Sequence, residues 1–436
     1  MKKSFGTLLL IALSVLAFGQ NTYKMSLQEA IDYAVKNQPT FQNYTIDQSI
    51  ASSRKLESIA KYIPKVNASA DLRNNLIIPT IVLDRDGQII TFKQGQRYTA
   101  TAGFDLNVPL VDVSTIGDIK YTQQSQVLTG LAKEKALVDL KLNVSKAYYA
   151  VLVGEERVKK AESAVNRNSK AYSDAKVKFD NQLAIKTDVN RAYLNAQNAT
   201  YQLNVARDYV TNAKAQLSQV IGLTPGSVID PTDVLPAQLQ GDTAINLPEY
   251  STVADNRVEL RSEQANLRLS QLQKSKINFQ YIPTLNGYGY YGGQGFDENN
   301  LFQRSSWYQV SYIGLKLAVP IFDGLQKVAL SQQQKLQMQK SEKNIEAIKL
   351  QVNYELQNSA TNMANAARNL RLQKENITLA EDIVKDAQVR YTNALATLQE
   401  TIDAENTLRE TEFNYMQALY DYLVAELEWK KANGKL

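Results

Sequence analysis

The stretch VSKAYYAVLVGEERVKKAESAVNRNSKAYSDAKVKF, residues 144–179, decides how the rest of the chain is read. Val144, Ala147, Val151, Gly154, Val158, Ala161, Val165, Asn168, Tyr172, Ala175 and Phe179 recur at alternating spacings of three and four, and nearly all are apolar or small. Ala192, Ala196, Ala199, Leu203, Ala206, Val210, Ala213, Leu217 and Val220 repeat the pattern on the return path. A sustained 3.5-residue seam is what two helices need to pack knobs into holes along their length. The many alanines let the two backbones lie close. The spacing predicts a long, thin antiparallel hairpin.

Adding 212 to each number finds the hairpin again, from Leu356, Ser359 and Met363 to Ala387 and Tyr391, and back from Ala404 and Leu408 to Ala425 and Trp429. No gap is needed. The sequence is a tandem duplication, with a first repeat over residues 21–222 and a second over 249–436. Residues 223–248, which hold Pro225, Pro231, Pro236 and Pro248, read as the linker between them.

The 436 residues carry a net charge of +5, of which Lys2 and Lys3 supply two. No basic patch interleaved with aromatics appears, so nucleic acid is not an expected partner. Lys2 and Lys3, the apolar run Leu8 to Phe18 and the small residues at Ala17-Phe18-Gly19 predict a secretory signal peptide over residues 1–20. There is no Cys to carry a lipid, a disulfide or a thiolate metal site. No later stretch is long and apolar enough for a transmembrane helix. The exported chain is therefore either soluble or a β-barrel membrane protein. The absence of His as well as Cys removes the commonest general base, nucleophilic thiolate and transition-metal ligands. An enzyme is not expected, nor a cofactor or metal.

Within each repeat the order is helix, two strands, hairpin. Ser26 to Tyr62 reads as helical, and its duplicate at an offset of 219 is Glu249 to Tyr281. Tyr62-Ile63-Pro64 and Tyr281-Ile282-Pro283 end both. Alternating segments follow: Val66, Ala68, Ala70 and Leu72 against Asn67, Ser69, Asp71 and Arg73, then Ala100, Ala102, Phe104 and Leu106 against Thr99, Thr101, Gly103 and Asp105. Each approaches the roughly 9–11 residues a tilted strand needs to cross a bilayer. Phe104 and Leu106 are expected to face lipid, and Thr101 the lumen. The second repeat supplies Thr284 to Tyr291 and Tyr308 to Val319, whose Tyr288, Tyr290, Tyr291, Trp307, Tyr308 and Tyr312 suggest interfacial aromatic girdles. Polar, Gly-containing loops over 77–96 and 292–306 join the strand pairs. Val108-Pro109-Leu110-Val111-Asp112 and Val319-Pro320-Ile321-Phe322-Asp323 end them, the prolines closing the strands and the aspartates starting the next helices.

Four strands cannot close a barrel, and open sheet edges are not tolerated in lipid. Two chains would give eight strands, a number whose interior is filled by side chains. Three chains would give twelve. A homotrimer is thus the smallest assembly that makes a duct.

The duplication, the element order, both Val-Pro signatures and the hairpin turns together resemble the TolC-like outer membrane efflux proteins, over essentially the whole mature chain. The resemblance implies an α+β membrane protein: long helical hairpins forming a periplasmic α-barrel, and four β-strands per chain completed as a 12-stranded barrel in the outer membrane of a Gram-negative bacterium. It also implies an exit duct for efflux or type I secretion, docking with a periplasmic adaptor protein and an inner-membrane pump. Its functional end lies at the two hairpin turns. In the first, Phe179, Gln182, Leu183 and Ala184 occupy the adaptor-docking positions, followed by Asp188; in the second, Tyr391, Ala394, Leu395 and Ala396, followed by Glu400 and Asp403. Asp188, Glu400 and Asp403 match the family's aperture acids, the last two on one helix face. Gln182 and Ala394 replace turn glycines, and Ala396 stands where an Arg latches the closed state in the best-known members. A rival reading is a soluble periplasmic coiled-coil adaptor or tether, which has no need of the four alternating strands.

Overall fold

The computed structural model describes residues 22–224, 226–235, 253, 255–297, 307–393 and 395–436, except the side chain of Arg85. The expected signal peptide, residues 236–248 of the linker and Ala394 lie outside the described residues. Two compact units are present, one drawn from the described residues of Met1–Tyr44, Lys133–Arg257 and Lys349–Leu436, the other from Thr45–Ala132 and Val258–Ile348. Each takes part of both sequence repeats.

The first unit holds the hairpins. In the first repeat, α3 (Val113–Asp180) enters it and α4 (Lys186–Ile221) returns; in the second, α6 (Gln326–Thr392) enters and α7 (Leu398–Ala432) returns. The seams are where the spacing put them. Val144, Val151, Ala175, Ala192, Ala199, Ala206 and Leu217 are buried, as are Leu356, Leu370, Ala380, Ala404, Leu408 and Tyr422. Gly154 shows how close the backbones come, because an added Cβ would sit 3.0 Å from Val210 and 3.1 Å from Tyr209.

Around the seam of the first hairpin, Ala30, Ile31 and Ala34 of α1 (Leu27–Asn37) and Phe41 of α2 (Pro39–Ala60) cover Val144, Tyr148 and Val151. Full burial of the larger apolar side chains among these, such as Ile31, Phe41, Val144 and Val151, contributes about 1.5–3 kcal/mol each. Ser26 and Glu29 cap α1 reciprocally, the Glu29 carboxylate accepting from the Ser26 backbone N–H at 2.8 Å. The expected single helix over Ser26 to Tyr62 is broken at Gln38, whose backbone is extended (φ −71°, ψ 115°). Pro39 follows it, and the ring of a proline pushes the preceding residue out of the helical region. β1 (Thr22–Met25) and β6 (Val228–Pro231) form a short parallel pair that the sequence reading passed over, the second of them inside the linker.

The second unit carries a four-stranded antiparallel sheet in the order β2 (Lys65–Asn74), β5 (Tyr98–Val111), β7 (Thr284–Asp297), β8 (Trp307–Ala318), with α5 (Val258–Phe279) leading into β7. The two repeats join at β5 and β7. Val66 pairs with Leu106, Ala68 with Phe104, and Leu72 with Ala100; Phe104 pairs with Tyr291, Leu106 with Gly289, and Gly289 with Ile313. One face is therefore mostly apolar on all four strands, with Gln309 and Ser311 of β8 as polar members, and it includes Leu315 and Leu317. On β5, Ala102, Phe104 and Leu106 are exposed while Thr101, Gly103 and Asp105 are half-buried, as in a sheet curled with its polar face inward.

Four further expectations change. β7 runs on to Asp297, into the stretch expected as the loop over 292–306, because Gly292 to Gly295 pair with Trp307 to Val310 of β8. The loop over 77–96 contains a second hairpin, β3 (Thr80–Arg85) with β4 (Gln88–Lys93), turning at Asp86 (φ 55°) and Gly87 (φ 80°). Asp-Gly is the pair such a turn favours, since both central residues need positive φ. Pro109 does not close its strand: β5 runs on to Val111 across a register shift between Pro109 and Val111. Proline is tolerated at such an irregularity, and β2 has already ended opposite Asn107. Last, the register puts Tyr288, Tyr290, Tyr308 and Tyr312 on the polar face, leaving only Tyr291 and Trp307 of the expected girdle on the apolar one.

Asp112 starts α3 as expected, accepting from the backbone N–H of Ser114 at 3.0 Å and from the hydroxyls of Ser114 and Thr115 at 2.6 Å. Asp323 works one step removed. It accepts from the Lys327 N–H at 3.1 Å, with Gly324 (φ 68°) and Leu325 (φ 69°) lying before α6.

Candidate functional site

The hairpin ends are built alike. At the first, the Leu183 N–H reaches back to the Lys178 carbonyl (2.7 Å) and that of Gln182 to Phe179 (2.8 Å), while Gln182 takes φ 62°. This is the glycine-type helix ending made without glycine, at a cost of about 1–2 kcal/mol for the left-handed conformation. At the second, Leu395 N–H reaches the Arg390 carbonyl (2.8 Å), the same bond displaced by 212 residues. Leu183 is 78% exposed and Leu395 70%, so each turn offers a bare apolar knuckle. Phe179 is more exposed than the seam residues before it, and Ala184 and Ala396 are half-buried.

The three acids do not act alike. Asp188 is half-buried, whereas Glu400 and Asp403 are exposed. Glu400 is the third residue of α7 and closes a capping box with Thr397: its N–H donates to Thr397 Oγ1 (3.3 Å), and its carboxylate accepts from the Thr397 N–H (3.4 Å). Asp403 accepts from Gln399 Nε2 at 2.8 Å. Among the described residues no hydrogen bond or ion pair joins Asp188 to Glu400 or Asp403.

Between the two hairpins, Tyr391 is central. Lys178 Nζ lies 3.7 Å from its ring centroid and 3.4 Å from its carbonyl oxygen, tying α3 to α6. Burial, then the nearby carboxylates of Asp188 and Asp174, push the Tyr391 phenol up from its ordinary range. Beneath it, Ala175, Ala192 and Leu398 form a small core with Tyr172, Tyr391 and Ile402.

Further along the hairpins is a group that sequence reasoning missed. Arg167 of α3 donates to Glu405 of α7 at 2.9 Å and lies 4.0 Å from Glu412, while Lys160 lies 3.5 Å from Glu412 and 3.8 Å from Glu381. Gln388 adds a bond to Glu405 at 3.0 Å. Glu405 and Glu412 are both buried. The signal was in the numbering: Lys160 and Arg167 are seven apart, as are Glu405 and Glu412, so both pairs recur one heptad apart beside their seams.

Residues 250–435, the second repeat, match the family model described as Outer membrane efflux protein. The chain is 23% identical over 309 residues to the outer membrane protein TolC of Vibrio cholerae, covering 68% of this chain and 67% of that one. It is 19% identical over 418 residues to the alkaline protease secretion protein AprF of Pseudomonas aeruginosa, covering 94% and 85%. In fold, it is similar to the crystal structure of the outer membrane protein VceC of Vibrio cholerae, with a TM-score of 0.73, 14% identity and coverage of 94% and 96%. The chain is thus similar to the TolC-like outer membrane efflux proteins, in sequence to the family model over its second repeat and in fold over nearly its whole length.

Proposed function

We propose that this chain is an outer-membrane exit duct, passing cargo from an inner-membrane pump and a periplasmic adaptor to the exterior. Three copies close their sheets edge to edge into a twelve-stranded barrel, and their hairpins enclose the periplasmic part of the path. The observation that carries this reading is the largely apolar face that crosses β2, β5, β7 and β8, interrupted on β8 by Gln309 and Ser311, on a sheet whose outer strands, β2 and β8, have free edges among the described residues. In lipid such edges must be paired by other copies. A soluble adaptor has no use for that face, and the relatives do not support one.

In this reading Asp188, Glu400 and Asp403 line the narrow periplasmic mouth, and the exposed Leu183 and Leu395 knuckles are the adaptor's footing. Ala396 is too short to latch one hairpin to the other, and the Lys178–Tyr391 contact takes over that tie. The test is native mass spectrometry in mild detergent, followed by planar-bilayer recording. A trimer with steady conductance is expected. Monomers or dimers without conductance would overturn the reading.

A further inference from the structure

We infer that the polar face of the sheet carries a stacking platform for planar aromatic cations in transit, built on Tyr288, Tyr290, Tyr308 and Tyr312. The inference rests on the duct reading, because only in a closed barrel does that face line a lumen. Membrane-boundary tyrosines belong on the lipid side, and these four lie on the other. Tyr290 pairs with Tyr312 and Asp105, Tyr288 with Gly314 and Asn107, and Tyr308 with Gln294.

The rings lie down on the sheet. A Cβ added at Gly103 would sit 2.7 Å from Tyr290 Cζ, and one at Gly314 would sit 2.6 Å from Tyr288 Cζ. Each ring thus passes over a bare stretch of backbone that a side chain would otherwise fill. Tyr290 and Tyr312 stack at 5.6 Å with their planes 23° apart, and Tyr288 meets Tyr312 edge-on at 6.1 Å. Tyr312 is 52% exposed and Tyr308 61%.

The ligand's charge follows from the surroundings. An aromatic face attracts cations through its quadrupole. Elsewhere in this unit that attraction is already used: Arg97 lies over Tyr98, Lys276 over Tyr121 and Lys327 over Tyr281. Among the described residues no Lys or Arg lies over the four lumenal rings. Directly opposite Tyr290 by register, and within cross-strand reach, is a carboxylate, Asp105, whereas Lys316 on the same face lies opposite Asn286, at the Tyr288 end of the platform and away from Tyr290. Asp105 accepts from Ser69 Oγ at 2.7 Å, which fixes its position. A flat cation stacked on Tyr290 and Tyr312 therefore lies beside a negative charge, an arrangement that favours it over a neutral sugar or an anion.

The test adds ethidium to the extracellular side of the reconstituted channel. Wild type should show current interruptions, and Tyr290→Leu with Tyr312→Leu should shorten them about fivefold, the scale of one exposed cation–π contact. Tyr312→Leu alone, whose ring is not pressed against a glycine, and Asp105→Asn should each shorten them in part. Interruptions of equal length in all variants overturn the platform. So do interruptions by maltoheptaose but not by ethidium. Normal conductance with no ethidium interruptions sinks this inference alone, whereas a wild-type protein that conducts nothing sinks the duct reading and this inference with it.

Discussion

Arg167 on α3 and Glu405 on α7 meet at 2.9 Å, 238 residues apart in sequence, and fasten the first hairpin to the second. The Arg167 side chain is 27% exposed and that of Glu405 6%, so the carboxylate depends on its partner for most of its compensation. Arg167→Ala should cost about 2–3 kcal/mol, the low side of breaking a buried pair, because the guanidinium keeps some water. Arg167→Met with Glu405→Met should recover most of it. Thermal unfolding of the single, partner and double variants, followed by circular dichroism, gives the coupling; additive losses would mean the two do not act as a pair.

Glu412 should behave differently. Burial pushes its carboxyl up from the ordinary 4.5, and Lys160 and Arg167 pull it back only in part. A raised acid favours the folded state below its unfolded value, and that contribution is lost as pH rises through the folded one. Glu412→Gln removes the dependence. The variant's melting temperature should gain on wild type between acid and neutral pH, and the two should respond alike below about 4.5. A wild type that gains on the variant as pH rises would show the ionised carboxylate to be a net stabiliser.

Lys178 is expected to hold the mouth closed. Lys178→Ala removes both its contact with the Tyr391 ring and its bond to the Tyr391 carbonyl, together about 1 kcal/mol at a half-exposed site. Single-channel recording should show a larger or more often open conductance, with Lys178→Arg close to wild type. An unchanged conductance in Lys178→Ala would place the tie elsewhere.

The proposed aperture role of Glu400 and Asp403 can be tested without disturbing the helix that Glu400 helps to start. Glu400→Gln keeps the capping box, since Gln serves at that position as well as Glu, and Asp403→Asn keeps the bond from Gln399. In a narrow mouth, rings of carboxylates focus the field and attract multivalent cations. A trivalent cation on the periplasmic side should block wild type, and the double variant should lose most of that block. Equal block would make both acids ordinary solvated side chains.

The two faces of β5 predict opposite tolerances. Arg at Phe104 places a charge on the lipid side, at a cost of about 2–4 kcal/mol near mid-bilayer, and should reduce trimer yield in outer-membrane extracts. Arg at Thr101, on the inward face, should assemble normally. Equal yields would overturn the assignment of the faces.

What could be read directly from the chain was whatever repeats locally. The 3.5-residue seams, the 212-residue echo and the alternation of Ala100 to Leu106 each depend on neighbours a few positions away, and the structure places all of them as expected. The Asp86-Gly87 turn and the Thr397–Glu400 box were legible in the same way, though hidden in stretches read as a loop and as aperture acids. Nothing local fixes how one element lies against another. The register of β7 on β5 and β8 decides which face Tyr288, Tyr290, Tyr308 and Tyr312 take, and a slip of one residue would turn all four to the lipid side. Likewise the pairing of Arg167 with Glu405 exists only because two hairpins from different repeats lie side by side. Spacing within each hairpin cannot say which rung of one faces which rung of the other; that is settled by packing along the whole length of both.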